Sequence, residues 1–222
     1  MEVMFIEANS KKELSERFID KVYENVKGKS VGLSTTVQYI KQVEVLEKKL
    51  LEKGVKVTRK KSPLGVYPSQ ILGCSVPKYE TDIVLYLGCG KFHPIGLALE
   101  NKREVLIANP ETEEVFFQDM KEVDKYERKV ITNKTLVKNA KVMGLLVSNK
   151  EGQNRLDTAI KLKKRLEEEN KKAYILLFDT LDFNSLENYS WIEAYINTAC
   201  PRIFDDNEKF NKPMINIYDY EK

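Results

Sequence analysis

The residues best equipped for chemistry in this chain are its three cysteines, Cys74, Cys89 and Cys200, and its single histidine, His93. Cys74 stands in SQILGCSVP, flanked by Pro68 and Pro77. Cys89 lies between Gly88 and Gly90 in YLGCGKFHPIG, and Cys200 directly precedes Pro201. All are loop or strand-end settings, where a backbone bend exposes a side chain. A free cysteine is equally a small hydrophobe that a core will bury, and that use competes with any chemical one. No C-x-x-C spacing occurs, which excludes a zinc ribbon, and one histidine excludes a Cys2His2 zinc site. Three thiolates from separate loops suit a [4Fe–4S] cluster that keeps one iron free of protein ligands, open to a substrate or cofactor.

The elements that must position these residues follow from the apolar pattern. Strands are expected at 3–8, 30–35, 83–87, 104–109, 142–148 and 173–178, with VKVTR as a further strand. IEAYINTA at 192–199 and PMINIY at 213–218 complete the series. Amphipathic helices are expected at 11–26, 37–53 and 153–170, and Gly54 is placed to end the second of them. The stretch near 118–140 reads as a polar connection. Alternation of strand and helix in both halves argues for α/β layers, with two similar domains at 1–118 and 119–222. Each is expected to hold a mainly parallel sheet flanked by helices, with the carboxyl ends of the strands facing a common cleft. A loose internal repeat places Cys89 and Cys200 equivalently, just past strand ends, where open α/β sheets bind ligands.

Composition narrows the classes. Apolar residues make up 42% of the chain and charged residues 32%, an ordinary soluble balance. A net charge of +3 is too small to argue for nucleic acid, and KVTRKK at 56–61 reads as solvated surface. No apolar run approaches the roughly 20 residues that span a bilayer, so no membrane is expected. The opening MEVMFIEANSKKEL lacks the pattern of a secretion signal, which leaves a cytoplasmic setting and reduced thiols as the expectation.

Five segments in order, LSTTVQYIKQVEVLEKKLLEKGVKV, YPSQILGCS, YLGCGKFHPIGLAL, KEGQNRL and TACPRI, resemble the diphthamide synthase family, the 2-(3-amino-3-carboxypropyl)histidine synthases. The likeness runs over nearly the whole chain. It implies similar α/β domains, three in the family, each giving one cysteine to a [4Fe–4S] cluster. That cluster cleaves S-adenosylmethionine at its Cγ–S bond, and the 3-amino-3-carboxypropyl radical is added to a histidine of elongation factor 2. Cys74 matches the family's second cysteine and Cys200 its third. The chain opens near the last strand of the first domain, so its halves match the second and third, and the first cysteine has no counterpart. Cys89 is the expected replacement; drift to cysteine beside a defunct site is the alternative.

Around the three metal candidates, Gly88 and Gly90 are read as leaving room for the cluster and freeing N–H groups for its sulfurs. Gln153 is read either as a contact for a cofactor carboxylate or as a helix cap. His93 is expected to shape its loop rather than bind metal, and Arg202 to face the cluster or the surface. The function expected is a transferase using the cluster and S-adenosylmethionine. Two alternatives stand: a cluster enzyme with other chemistry at the open iron, and a non-catalytic partner of a full-length synthase. Partners expected are elongation factor 2 or another protein substrate, and a homodimer or a heterodimer with a full-length homologue.

Overall fold

Ser15 starts the first helix. Its hydroxyl accepts a hydrogen bond from the Phe18 N–H at 3.1 Å, closing one of the open donors of α1 (Glu16–Val26). Phe18, Ile19, Val22 and Val26 then fall on one face and are buried. The computed structural model describes residue 4 and residues 6–205 and 210–221, and the chain divides into two units, Met1–Lys125 and Tyr126–Lys222.

In the first unit, β1 (Ser30–Thr35) leads through a 3-10 turn, Val37–Tyr39, into α2 (Ile40–Glu52) and β2 (Lys56–Thr58). Gly54, at φ 81°, ends α2 in the left-handed conformation that glycine adopts at least cost. There follow β3 (Ile83–Leu87), α3 (Phe92–Asn101), β4 (Val105–Asn109), β5 (Glu114–Phe117) and α4 (Met120–Asn139), within which the second unit begins. The sheet order is β2-β1-β3-β4-β5; all neighbours are parallel except β5, which pairs antiparallel with β4. One face of the sheet packs Val31, Leu33, Leu85 and Leu106 against α1 and α2; the other packs Val84, Tyr86 and Ile107 against Leu97 and Ala98 of α3. Full burial of a leucine such as Leu46 or Leu50 contributes about 1.5–3 kcal/mol.

The second unit holds β6 (Val142–Ser148), α5 (Leu156–Glu168), β7 (Lys172–Phe178), β8 (Ala194–Asn197), a 3-10 turn at Pro201–Phe204, β9 (Met214–Asn216) and α6 (Ile217–Glu221). Its sheet, β7-β6-β8-β9, is wholly parallel and repeats the β2-β1-β3-β4 order of the first. The repeat extends to side chains. Gly32, the third residue of β1, leaves room for the ring of Tyr79; Gly144, the third residue of β6, leaves room for that of Tyr195. β7 is an edge strand of seven residues with Tyr174 and Leu177 exposed.

Four expectations change, the first being that the strand expected at 213–218 stops at Asn216, after which Ile217 and Tyr218 open α6. Of the strand expected at 3–8, residues 4 and 6–8 carry no strand, and 3 and 5 lie outside the described residues. The first helix begins at Glu16 rather than residue 11, where Ser15 supplies the cap. The segment near 118–140 is not a loop but the 20-residue α4, anchored by buried Val123 and Val137 amid charge. Among the described residues no helix is long and apolar enough to cross a membrane.

A Cβ added to Gly144 would stand 2.6 Å from the Tyr195 ring, so Gly144→Ala should cost about 1–3 kcal/mol of stability, read as a lower urea midpoint. An unchanged midpoint would show that the ring yields freely. Burial also pushes the Tyr195 hydroxyl up to about 12 from 10.0. An unfolded tyrosine loses its proton near pH 10 while the folded one keeps it. This stabilisation is therefore complete below pH 10 and lost between 10 and about 12. Tyr195→Phe should flatten that fall in denaturation curves taken at successive pH values.

Candidate metal and cofactor site

Parallel strands deliver the loops that follow them to one edge of the sheet, and the candidate residues stand there. In the first unit Thr35 closes β1, and its hydroxyl donates to the Leu87 carbonyl at the end of β3 at 2.7 Å. The chain then meets this edge again. Gln70 bridges Thr35 in parallel, the Ile71 N–H donates to the Thr35 carbonyl at 2.8 Å, and Leu72 and Ser75 close a tight turn with Gly73 and Cys74 at its tip. A Cβ on Gly73 would strike the Phe92 ring at 2.5 Å, so glycine lets this turn lie against the start of α3. Cys74 is a free, half-buried thiol.

Cys89 is free and exposed, two residues beyond β3. Gly88 and Gly90 flank it with φ of 154° and 77°, a backbone that residues with a Cβ rarely adopt. A Cβ on Gly90 would meet nothing within 4 Å, so the space beside it is open; one on Gly88 would lie 2.7 Å from the Tyr86 hydroxyl. The Gly88 N–H donates to the Ala108 carbonyl at 3.0 Å, so it is spent on the fold and does not serve as a donor to cluster sulfurs. The Cys89 Sγ lies 3.1 Å from the Tyr39 hydroxyl and 3.2 Å from Asn109 Oδ1. Tyr39 also donates to Glu111 Oε1 at 2.9 Å. Burial, reinforced by Cys89 and Glu111, holds the Tyr39 hydroxyl well above the usual tyrosine range, so it stays protonated. His93, the second residue of α3, stacks on Tyr86 with ring centres 5.9 Å apart and meets Phe92 edge-on at 5.1 Å.

In the second unit Cys200 follows β8; its backbone holds the cap position of the Pro201–Phe204 turn, and its free, half-buried thiol makes no cap bond. Two buried amides fix its backbone. Asn197 Nδ2 donates to the Cys200 carbonyl and to Asn216 Oδ1, both at 2.8 Å, and Asn197 Oδ1 accepts from the Ala199 N–H at 3.0 Å. Asn216 Nδ2 donates to the Pro201 carbonyl at 3.3 Å. The Thr198 hydroxyl reaches the Leu146 carbonyl of β6 at 2.8 Å, so in both units a threonine ties together the corresponding pair of strands at this edge. Gln153, half-buried in the loop after β6, sits in a turn closed by its N–H to the Lys150 carbonyl. It is not the helix cap, which falls at Arg155. Arg202 is exposed two residues beyond Cys200, within the Pro201–Phe204 turn.

The structure thus puts Cys74 and Cys89 on one sheet edge and Cys200 on the corresponding edge of the other unit's sheet. Among the described residues no three His, Cys, Asp or Glu side chains gather around one point. The donor types nonetheless fit an iron–sulfur cluster: free thiols on turns, all reachable from solvent, with open space beside Cys89. Tyr39, Asn109 and Glu111 were not found from sequence. Their signal is positional: each follows the end of β1 or β4, or is its last residue.

The family model for diphthamide synthesis proteins matches residues 1–222. The 2-(3-amino-3-carboxypropyl)histidine synthase of Pyrococcus horikoshii is 31% identical over 198 residues, covering 87% of this chain and 57% of its own length. The enzyme of the same description from Methanocaldococcus jannaschii is 33% identical over 190 residues, covering 84% and 49%. The chain therefore spans about half the length of these relatives. Two crystal structures of Dph2 from Pyrococcus horikoshii, one of them with a 4Fe-4S cluster, superpose with a TM-score of 0.83 at 28% identity over 96% of this chain. They are matched over 62% and 63% of their own lengths.

Removing the Asn197 amide leaves Asn216 Oδ1 and the Cys200 carbonyl without their shared donor. Asn197→Ala should lower stability by about 1–3 kcal/mol and speed alkylation of Cys200 while Cys74 and Cys89 react as before. Equal alkylation rates with and without Asn197 would show that the loop is held by other contacts.

Proposed function

The chain belongs to the diphthamide synthesis protein family, and from that premise we propose that it is a [4Fe–4S] transferase acting on S-adenosylmethionine. Its product is a 3-amino-3-carboxypropyl group placed on a protein acceptor, the histidine of elongation factor 2 or another. Cys74, Cys89 and Cys200 are the ligands in this reading. The observation that supports it is the placement of three free thiols at the carboxyl edges of two sheets with corresponding strand orders, β2-β1-β3-β4 and β7-β6-β8-β9.

When bound, the cluster supplies an electron, drawn from an external reductant, to a carbon–sulfur bond of the sulfonium. The chain's own residues do the rest. Cys74 presents its thiol from a two-residue turn whose backbone is tied to β1, which limits how far the sulfur can wander. Asn197 and Asn216 do the same for Cys200 from the other side of its peptide. Gly90 leaves space beside Cys89 that a side chain would fill. Gln153 offers a neutral amide, on the loop after β6, for the carboxylate of the amino acid portion. Exposed Arg202 adds positive charge close to Cys200.

The test is anaerobic reconstitution with iron and sulfide. Cys74→Ser, Cys89→Ser and Cys200→Ser should each lower bound iron and bleach the brown absorbance. The wild-type protein with dithionite and S-adenosylmethionine should release methylthioadenosine. Full iron in Cys89→Ser alone would remove Cys89 from the ligand set. No methylthioadenosine, with or without elongation factor 2, would sink the transferase reading.

A further inference from the structure

Tyr39 is almost wholly buried, at 1% exposure, yet its hydroxyl oxygen has three polar neighbours. Gln38 Nε2 donates to it at 3.2 Å, Glu111 Oε1 accepts from it at 2.9 Å, and Cys89 Sγ stands 3.1 Å away. A phenol has one proton to give, and two of these neighbours want it. The carboxylate wins while Cys89 is a thiol, because a charged acceptor makes the stronger bond. The thiol meanwhile donates its own proton to Asn109 Oδ1 at 3.2 Å. That oxygen cannot be exchanged for the amide NH2, since it also accepts from the Glu111 N–H at 3.0 Å.

Ligation changes the contest. A sulfur bound to iron has no proton and becomes an acceptor only. Asn109 turns an oxygen toward it and can give it nothing. Of Tyr39 and Asn109, which hydrogen-bond Sγ, only Tyr39 presents an atom that carries a proton. Hydrogen bonds to ligand sulfur raise the reduction potential of an iron–sulfur centre by stabilising its added electron.

Resting on the reading of Cys89 as a ligand, we infer that Tyr39 and Glu111 set the reduction potential of the centre held there, Glu111 by competing with the sulfur for the single Tyr39 hydroxyl proton. Glu111 thereby acts at a distance, through Tyr39, and both are positioning residues. Its carboxylate keeps the potential low. Whatever draws that carboxylate away from Tyr39 hands the proton to sulfur and makes the centre easier to reduce.

Two effects of removing Glu111 have to be separated, because loss of a nearby negative charge raises the potential by itself. The experiment measures the midpoint potential of the reconstituted protein for wild type, Glu111→Gln, Tyr39→Phe and the double variant, with iron content checked in each. Glu111→Gln should raise the potential more when Tyr39 is present than when it is Phe, the excess being the hydrogen bond. Equal shifts in the two backgrounds would overturn the inference. Glu111→Asp gives an independent reading should Tyr39→Phe not fold: it keeps the charge and withdraws the acceptor by one methylene, so the potential should again rise. An unchanged potential in Glu111→Asp would also overturn it. Failure of the ligand assignment looks different, since Cys89→Ser would then retain full iron.

Discussion

Parallel pairing of β1 with β3, and of β6 with β8, is the constraint on which everything else hangs. A parallel neighbour can be reached only by a crossover, and each crossover returns the chain to the same starting edge. Every loop that follows one of the parallel strands therefore emerges at the opposite edge, whatever its sequence; only the antiparallel β5 departs from this. Thr35 and Thr198 close that edge with side-chain bonds to the carbonyls of Leu87 and Leu146. Polar groups at strand ends that would lose their ladder partners are satisfied there, and the loops beyond are free to vary.

That freedom explains how one frame carries thiols in unlike settings. Cys74 rides a turn that returns to β1 from a distant part of the chain, and nothing among the described residues of the second unit corresponds to it. Cys89 and Cys200 follow corresponding strands, β3 and β8, but their surroundings differ. The sulfur of Cys89 is in contact with a phenol and an amide oxygen, whereas at Cys200 it is the backbone that is held, by Asn197 and Asn216. Fixing a sulfur and fixing its peptide are different ways to position a ligand.

The legibility of the sequence follows the same division. β1, β3 and β6 were read almost to the residue because a central parallel strand, buried on both faces, is a continuous apolar run. α4 escaped because its buried Val123 and Val137 are two turns or more apart among charged residues. β5 escaped because EVFF is held as a strand by Leu106, Ile107 and Ala108 of its neighbour rather than by its own pattern. The cysteines could be placed at strand ends by their glycines and prolines. Tyr39, Asn109 and Glu111 could not: Tyr39 and Asn109 meet Cys89 across 50 and 20 residues of chain, and Glu111 meets Tyr39 across 72.

The two sheets end differently, and this governs how the protein behaves in a crowded solution. The first is flanked by the three-residue β2 and by β5, whose four residues run against the grain of the sheet. Neither offers a visiting chain much backbone to copy. The second ends on β7, seven residues with Tyr174 and Leu177 exposed, whose outer N–H and C=O groups form a template for further strand addition. Self-association at high concentration would nucleate on that strand, with exposed Lys172 at its start as an electrostatic brake, one that weakens as salt is added.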